Sequence, residues 1–368
     1  MTIERMTTLD QLDAVRAPWE ALRAASPRSS VFASHGWTRL WLSHFGQPGR
    51  WSVLTAWDGK ELAGVMPLVT TRTTWRQLPV RRLGLCINNH SPRGAFVAMA
   101  GQEQAVLSSI LGELRRSGEW DMMLLENIDD PQVVLGSAPA NGMFAHTRSL
   151  LPQCWLTLDG GYEKYLGNLP SSLRKSLRRS ERHLAELGRL SLSTSCGSAD
   201  VKAAVQTFIS LDAESWKRDG GQTIVSEPSV HRFYRDVFDH FAERGELAVI
   251  LLSVGGEAVC GVVCIHDRGT VYAFKSSYRT TLSGGQHLDT PRTSPGLHIY
   301  LEMIRHAFES GAQSLDFMAR YPAIERFTDE RRTYASVVLY RRAFYSRPLS
   351  GIDWVASRLG GRKREACA

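Results

Sequence analysis

Two short stretches of this chain constrain its fold more than anything else in it. DGKELAGVMPL at 58–68 lies over GGEAVCGVVCI at 255–265 at a constant offset of 197. Each places a glycine at a turn (Gly59, Gly256) and another five residues on (Gly64, Gly261), with apolar residues around it. Asp-Gly and Gly-Gly between apolar runs are hairpin signals, because the favoured two-residue turns need positive φ. A repeat separated by a domain's length points to duplication of a whole folding unit.

The flanking order supports that. Before the first hairpin come a short strand (Thr2–Met6) and two helices, Leu9–Ala25 and His35–Phe45. After it come a strand near Arg81–Asn89, a helix at Gln104–Arg116 and a buried strand at Trp120–Asn127. The second half repeats the order: strand Leu190–Thr194, helices Ala199–Arg218 and Val230–Arg244, the hairpin, strand Val271–Tyr278, helix Pro295–Ser310 and strand Ser314–Met318. Tyr334–Arg342 reads as a last strand. Between the halves, Leu169-Pro170-Ser171-Ser172 opens a long helix that Gly188 closes. The expected organisation is a first domain at 1–158, a basic linker helix at 159–188, a second domain at 189–350 and a basic, disordered tail at 351–368.

Composition removes other classes. With 368 residues, 43% apolar and 22% charged, the chain is neither disordered, collagenous nor a small disulfide scaffold. Six scattered cysteines without a CxxC pair fit a reduced, cytoplasmic location. The N-terminal residues carry acids and no apolar core, unlike a signal peptide. The longest apolar run, Leu247 to Ile265, is broken by Gly255-Gly256-Glu257, which suits a hairpin and not a membrane span. The formal charge of +7 is concentrated: residues 172–190 hold six cations against two acids, and 341–365 hold seven against two. The rest is near neutral, which argues against a DNA-binding coat.

Several motifs carry a family resemblance. They are Val31-Phe32-Ala33-Ser34 with Trp37 and Trp41, Ala63-Gly64-Val65-Met66-Pro67-Leu68, Leu83-Gly84, and the Leu-Arg-Lys-x-Leu-Arg-Arg core at 173–179. Glu214-Ser215-Trp216-Lys217 with Gly220, Ser294-Pro295-Gly296 and Asp316-Phe317 follow in order. Over nearly the whole chain this resembles the CelD-like and FemAB-like branch of the GNAT acyltransferase superfamily. The chain departs from that pattern at Arg279, where the family often has Asp after Tyr. It departs again at the long loop Thr280–Thr293, and at Ile324-Glu325-Arg326-Phe327, where the family often has Tyr-Lys.

The resemblance implies an α/β (α+β) architecture of tandem GNAT-like acyltransferase folds, each a mixed twisted sheet flanked by helices. It implies acetyl-CoA or another acyl-CoA as co-substrate, without a metal. It also implies a small-molecule or glycan-precursor acceptor, a sugar or an amine, in polysaccharide or envelope synthesis, with peripheral membrane contact. A FemAB-type transferase using aminoacyl-tRNA, and a degenerate, non-catalytic assembly partner, are the alternatives.

The same resemblance marks candidate residues. Ser294, Pro295 and Gly296 open the helix whose N-terminus would meet the donor's phosphates, since unpaired N–H groups and the helix dipole favour anions there. Lys275 and Ser277, on one face of a strand, would line the donor cleft, and Tyr278 on the other is either the proton donor to the departing thiolate or, with Tyr272 and Phe274, a β-former packing the sheet. Glu214 is either a base acting through water, a carboxylate that positions the acceptor, or half of a surface pair with Arg218. Asp316 is either a site group or a structural acid. Trp216 and Lys217 would contact the acceptor, as would Arg326 in place of the family's lysine. Arg174 and Arg178, with Lys175, Arg179 and Arg182, form a basic helix face that either binds phosphates or is merely solvated. Cys260 and Cys264 share a strand face and read as core. No HExxH, Walker A or GxSxG motif is present.

Overall fold

The computed structural model describes residues 1–26, 29–75, 77–288 and 292–341. The tail at 351–368 and the end of the strand at Arg342 lie outside them. In chain order the first part runs β1 (Thr2–Met6), α1 (Leu9–Ala14), α2 (Arg16–Ala25), α3 (His35–Phe45), β2 (Trp51–Asp58), β3 (Glu61–Trp75), β4 (Leu78–Gly84), β5 (Val97–Ala98), α4 (Glu103–Ser117), β6 (Met122–Ile128) and α5 (Pro131–Ala140). It continues with β7 (Met143–Thr157), α6 (Tyr162–Asn168), α7 (Ser171–Leu187), β8 (Leu190–Cys196), α8 (Ser198–Ala213), α9 (Pro228–Glu243), β9 (Leu247–Val254) and β10 (Glu257–Asp267). It ends with β11 (Thr270–Tyr278), α10 (Pro295–Glu309), β12 (Ser314–Asp316) and β13 (Arg331–Arg341).

Two compact units result. One comprises Met1–Leu151 and, of the described residues, those from Thr333 on; the other is Pro152–Arg332. In the first unit the strands lie in the order β1-β2-β3-β4-β6-β13, and in the second β8-β9-β10-β11-β12-β7. These orders are the same, position by position. Each sheet is antiparallel except at one pair: β4 with β6 in the first and β11 with β12 in the second. The sixth strand of the first sheet is the last strand among the described residues. That of the second is the end of β7, where Leu156 faces Leu315. The duplicated mixed α/β fold is therefore present in the strand order itself.

Each unit closes around its own core. In the first, Leu54, Met66 and Leu68 from the hairpin pack with Val106, Ile110 and Leu114 of α4. Two of its buried tryptophans donate their N–H groups to nearby oxygens, Trp19 to the carbonyl of Ala33 (2.9 Å) and Trp37 to Ser91 Oγ (3.0 Å). In the second, Leu173, Leu177 and Leu184 of α7 join Ile250, Val262 and α10's Met303 and Ile304. Cys260 and Cys264 belong to this core, as their shared face predicts. Burial pushes both thiols up to about 12. No helix among the described residues is long and apolar enough to cross a membrane.

Some sequence expectations are corrected. The helix expected at 9–25 is two helices that meet at Val15. Pro18 has no N–H to reach the carbonyl of Ala14, so the helix restarts at Arg16. The segment expected as one helix from 169 is preceded by a separate helix, α6. The helix expected to run to Arg218 stops at Ala213, with Glu214 as its C-cap. Two buried hydrogen bonds described below pull the following chain away from the helix axis.

The matching glycines of the two hairpins have different neighbours. A methyl group on Gly64 would lie 2.1 Å from Val106 of α4, whereas one on Gly261 would press on Leu251 and on Phe208 of α8. Each strand needs its glycine for close packing of a helix. Gly64→Ala should therefore lower the unfolding free energy by about 1–3 kcal/mol. Gly296→Ala, where a methyl meets nothing within 4 Å, should change it little. Urea unfolding of the two variants checks this.

Candidate functional site

The geometry that matters begins at the parallel pair of the second unit. β11 and β12 stay hydrogen-bonded over only three residue pairs, Thr270–Tyr272 opposite Ser314–Asp316. β11 then runs on to Tyr278 while β12 ends, so the sheet opens into a fork. The first unit has a similar three-pair junction, Arg82–Gly84 opposite Met122–Leu124. The two differ in one respect. Between β10 and β11, Val263 pairs with Lys275 and Cys264 with Ala273, which leaves Phe274 as an extra residue. The pairing of β3 with β4 has no such shift. A bulge re-aims the side chains that follow it. Here Phe274 and Lys275 both turn toward Tyr234 of α9, at a ring distance of 5.9 Å and an ammonium-to-ring distance of 4.9 Å.

Lys275, Ser277 and Lys217 come together on this face around a residue that the sequence motifs did not single out, Asp212. Its side chain is 0% exposed. Its Oδ1 accepts from Lys217 Nζ at 3.1 Å and from the hydroxyl of Ser277, and its Oδ2 accepts from the N–H of Ile224. Lys217 also donates to Ser277 Oγ at 2.9 Å and to the carbonyl of Ser276. Its three protons thus have three acceptors. Burial lowers the Lys217 ammonium from its ordinary range, against the opposing pull of Asp212. Asp212 was detectable in principle. It follows Phe208 by four residues and Leu211 by one, so it is an acid on the helix's apolar stripe.

Around the network lie the other candidates. Glu214 does not pair with Arg218; it takes the guanidinium of Arg279, which also reaches Glu257 at 3.1 Å. Hydrogen bonds from Ser283 to Glu257 hold that carboxyl below its usual range. Arg279, the departure from the family pattern, therefore ties the start of the long loop to the end of α8. Trp216, half exposed, lies 6.2 Å from the ring of Tyr278 at the fork. Tyr300 of α10 is partly buried beside Phe317 and Phe327. Burial pushes its phenol up, and the nearby Cys260, Tyr321 and Tyr278 add to the rise. Three phenols, from β11, α10 and the segment after β12, thus gather at the fork. Tyr300 and Tyr321 carry no motif that would have marked them. Asp316 is fully buried and accepts the N–H of Met318 at 2.8 Å, which turns the chain as it leaves β12.

Ser294, Pro295 and Gly296 begin α10, with Pro295 in its first turn. Ser294 makes no side-chain cap. α7 is docked beside this start: Ser180 Oγ lies 3.0 Å from His298 Nε2 and 3.5 Å from the carbonyl of Ser294. A groove of about 660 Å³ on α7 is lined by Lys175, Ser176, Arg178, Arg179, Glu181 and Arg182. Arg174 turns back to the carbonyl of Gly167 and Arg178 to that of Arg174. Arg326 donates to Ser176 at 2.8 Å and borders a second hollow of about 600 Å³ with Tyr165 and Asp329. The candidates therefore fall into two groups. Lys217, Lys275 and Ser277 face α8 and α9, whereas α7 and α10 share the core on the other face of β9 and β10. No three His, Cys, Asp or Glu side chains among the described residues come together as a metal site.

Residues 171–327, all within the second unit, match the family model described as "Acetyltransferase (GNAT) domain". Solved structures with a similar fold include FemX, 12% identical at a TM-score of 0.59, covering 95% of this chain and 99% of that one. A conserved protein of unknown function from Bacteroides thetaiotaomicron is 12% identical at 0.53, covering 92% and 100%. L-PGS from Bacillus licheniformis is 13% identical at 0.50, covering 96% and 97%. At these identities the likeness shows the fold alone. No curated protein matches the chain. The resemblance to a GNAT acetyltransferase domain thus lies within the second unit.

Asp212 is the residue on which the α8 face turns. Asp212→Ala would leave Lys217 buried without its counter-charge and Ile224 without an acceptor, and should cost about 3–5 kcal/mol. Denaturant unfolding measures this. A loss below 1 kcal/mol would mean that Asp212 does not hold Lys217 and Ile224 in place.

Proposed function

We propose that the chain transfers an acyl group from acetyl-CoA or another acyl-CoA to the nitrogen or oxygen of a small acceptor. The observation that carries this is the second fork, with the start of α10 after it and α7 docked at that start through Ser180; α7 also carries a groove lined by cations. Free N–H groups at a helix start and a cluster of guanidinium groups suit a diphosphate-bearing donor. Gly296 has open space where a side chain would stand, which lets a ligand approach the backbone.

In this reading the donor's thioester lies in the fork. The acceptor's amine or hydroxyl attacks the carbonyl carbon and gives its proton to Glu214 through water, the carbon–sulfur bond breaks, and Tyr278 supplies a proton to the thiolate and regains one from solvent. Glu214, ion-paired with Arg279, also positions the acceptor. Trp216 forms a wall beside Tyr278. Arg326 borders the acceptor side through the hollow it shares with Tyr165. Asp316 shapes the turn after β12. Sugar or amine precursors of a polysaccharide or envelope polymer are the acceptors that the CelD-like motifs favour.

The cations of α7 also favour a second reading, an aminoacyl-tRNA-dependent transferase of the FemAB kind. Salt dependence separates the two. Binding of a nucleic acid loses affinity steeply with salt, in proportion to the phosphates contacted. A small donor has a gentle slope.

Gly296→Asp adds an anion at the helix start and should weaken acetyl-CoA binding about tenfold, measured by calorimetry on the folded variant. Unchanged affinity would place the donor elsewhere. Replacing Arg174, Arg178 and Arg182 together by Gln should raise the Michaelis constant for the phosphate-bearing substrate and flatten its salt slope, with stability nearly unchanged. An unchanged constant and slope would leave α7 a solvated face.

A further inference from the structure

Lys275 stands out from the network that surrounds it. Asp212 is spent: one oxygen serves Lys217 and Ser277, the other the N–H of Ile224. Lys217 is spent on three acceptors. Lys275 has only the face of Tyr234, 4.9 Å away. Among the described residues it makes no hydrogen bond and has no carboxylate in ion-pair range. Two ammonium groups thus share one carboxylate in a largely desolvated place. A cation over an aromatic face recovers less than the desolvation of an ammonium costs. The face is short of one negative charge, and the unspent N–H groups sit on the strand that borders the fork.

We infer that Lys275 binds an oxyanion carried by the acceptor, a carboxylate or a phosphate group. The site is separate from that proposed for the donor's phosphates. Lys275 faces α8 and α9, whereas α10 packs with α7 in the core on the other face. The bulge at Phe274 is what aims Lys275 there. The second junction between parallel strands, in the first unit, has no bulge in its β3–β4 pairing and no lysine in β4, so this site belongs to the second unit. The word acceptor rests on the transferase reading; the anion site itself does not.

The charge state agrees with this. Burial, and then the nearby Lys217, push the Lys275 ammonium down to about 8, against the pull of Asp212. Tyr234, the titratable group facing it from α9, is pushed upward by burial and stays neutral in this range. An anion favours the charged amine, so binding should be full below about pH 8 and decline above it. The bound amine should titrate higher by roughly one unit.

The chain has only seven lysines, so selective carbon-13 labelling of lysine gives resolvable side-chain signals. Lys275→Arg identifies the signal of Lys275 by its loss. The full-length protein is titrated from pH 6 to 10 alone, with sodium sulfate as a phosphate mimic, and with sodium acetate, at matched ionic strength in chloride. The expected result is an upward shift of the Lys275 midpoint with one or both probes, and none for Lys60, Lys164 or Lys202. A response to sulfate alone assigns a phosphate-bearing acceptor, and one to acetate alone a carboxylate. No shift with either probe, or an equal shift of all lysines, overturns the site. Acetyl-CoA binding is measured separately, so loss of the anion site and loss of the transferase reading are distinguishable.

Discussion

The three-residue parallel pairing between β11 and β12 sets the geometry of the second unit. Parallel neighbours cannot be joined by a tight turn; the chain must cross over, and here it does so through α10. Because the pairing lasts only for Thr270–Tyr272, the crossover leaves from a strand end that has already parted from its neighbour. Helix start, splayed strand and bulge are brought to one place by a single constraint. The first unit obeys the same constraint at Arg82–Gly84 but lacks the bulge in its β3–β4 pairing. This is a physical reason for the two halves of a duplicated fold to have unequal chemistry.

The polar groups divide along the sheet. On one face a buried carboxylate, Asp212, holds the chain after α8 through Lys217 and Ile224, which is what ends the helix at Ala213. A buried pair of this kind contributes little net stability, but it fixes where its partners stand. On the other face, α7 buries its leucines, meets the start of α10 through Ser180 and leaves its arginines outward. In the proposed reading the donor's phosphates belong to the second face and the extra cation, Lys275, to the first.

Much of the fold is legible in the sequence because it rests on local chemistry. Gly59 and Gly256 have the positive φ that their hairpin turns require, and α3 and α10 begin where Ser34 and Ser294-Pro295 suggest. What was not legible depends on partners far along the chain. The end of α8 is set by Asp212 meeting Lys217, Ser277 and Ile224, and the periodicity of 199–218 carries no trace of it. Glu214 has Arg218 at helical spacing, yet Arg279, 65 residues on, takes it. Tyr300 and Tyr321 reach the fork only because α10 and the turn after Asp316 bring them there. Motif residues such as Trp216 and Lys217 were visible as a string; that one contacts Tyr278 and the other is sealed around Asp212 is a tertiary fact.

The central claim is that the second fork, and not the first, holds an acyl-CoA. A crystal structure of the protein with acetyl-CoA tests it most directly. The account predicts pantetheine density between Lys275–Tyr278 and the chain leaving Asp316, with the phosphates at Ser294–Gly296 beside α7. Density instead at the first junction, near Gly84 and Glu126, or no bound thioester at saturating concentration, would contradict it.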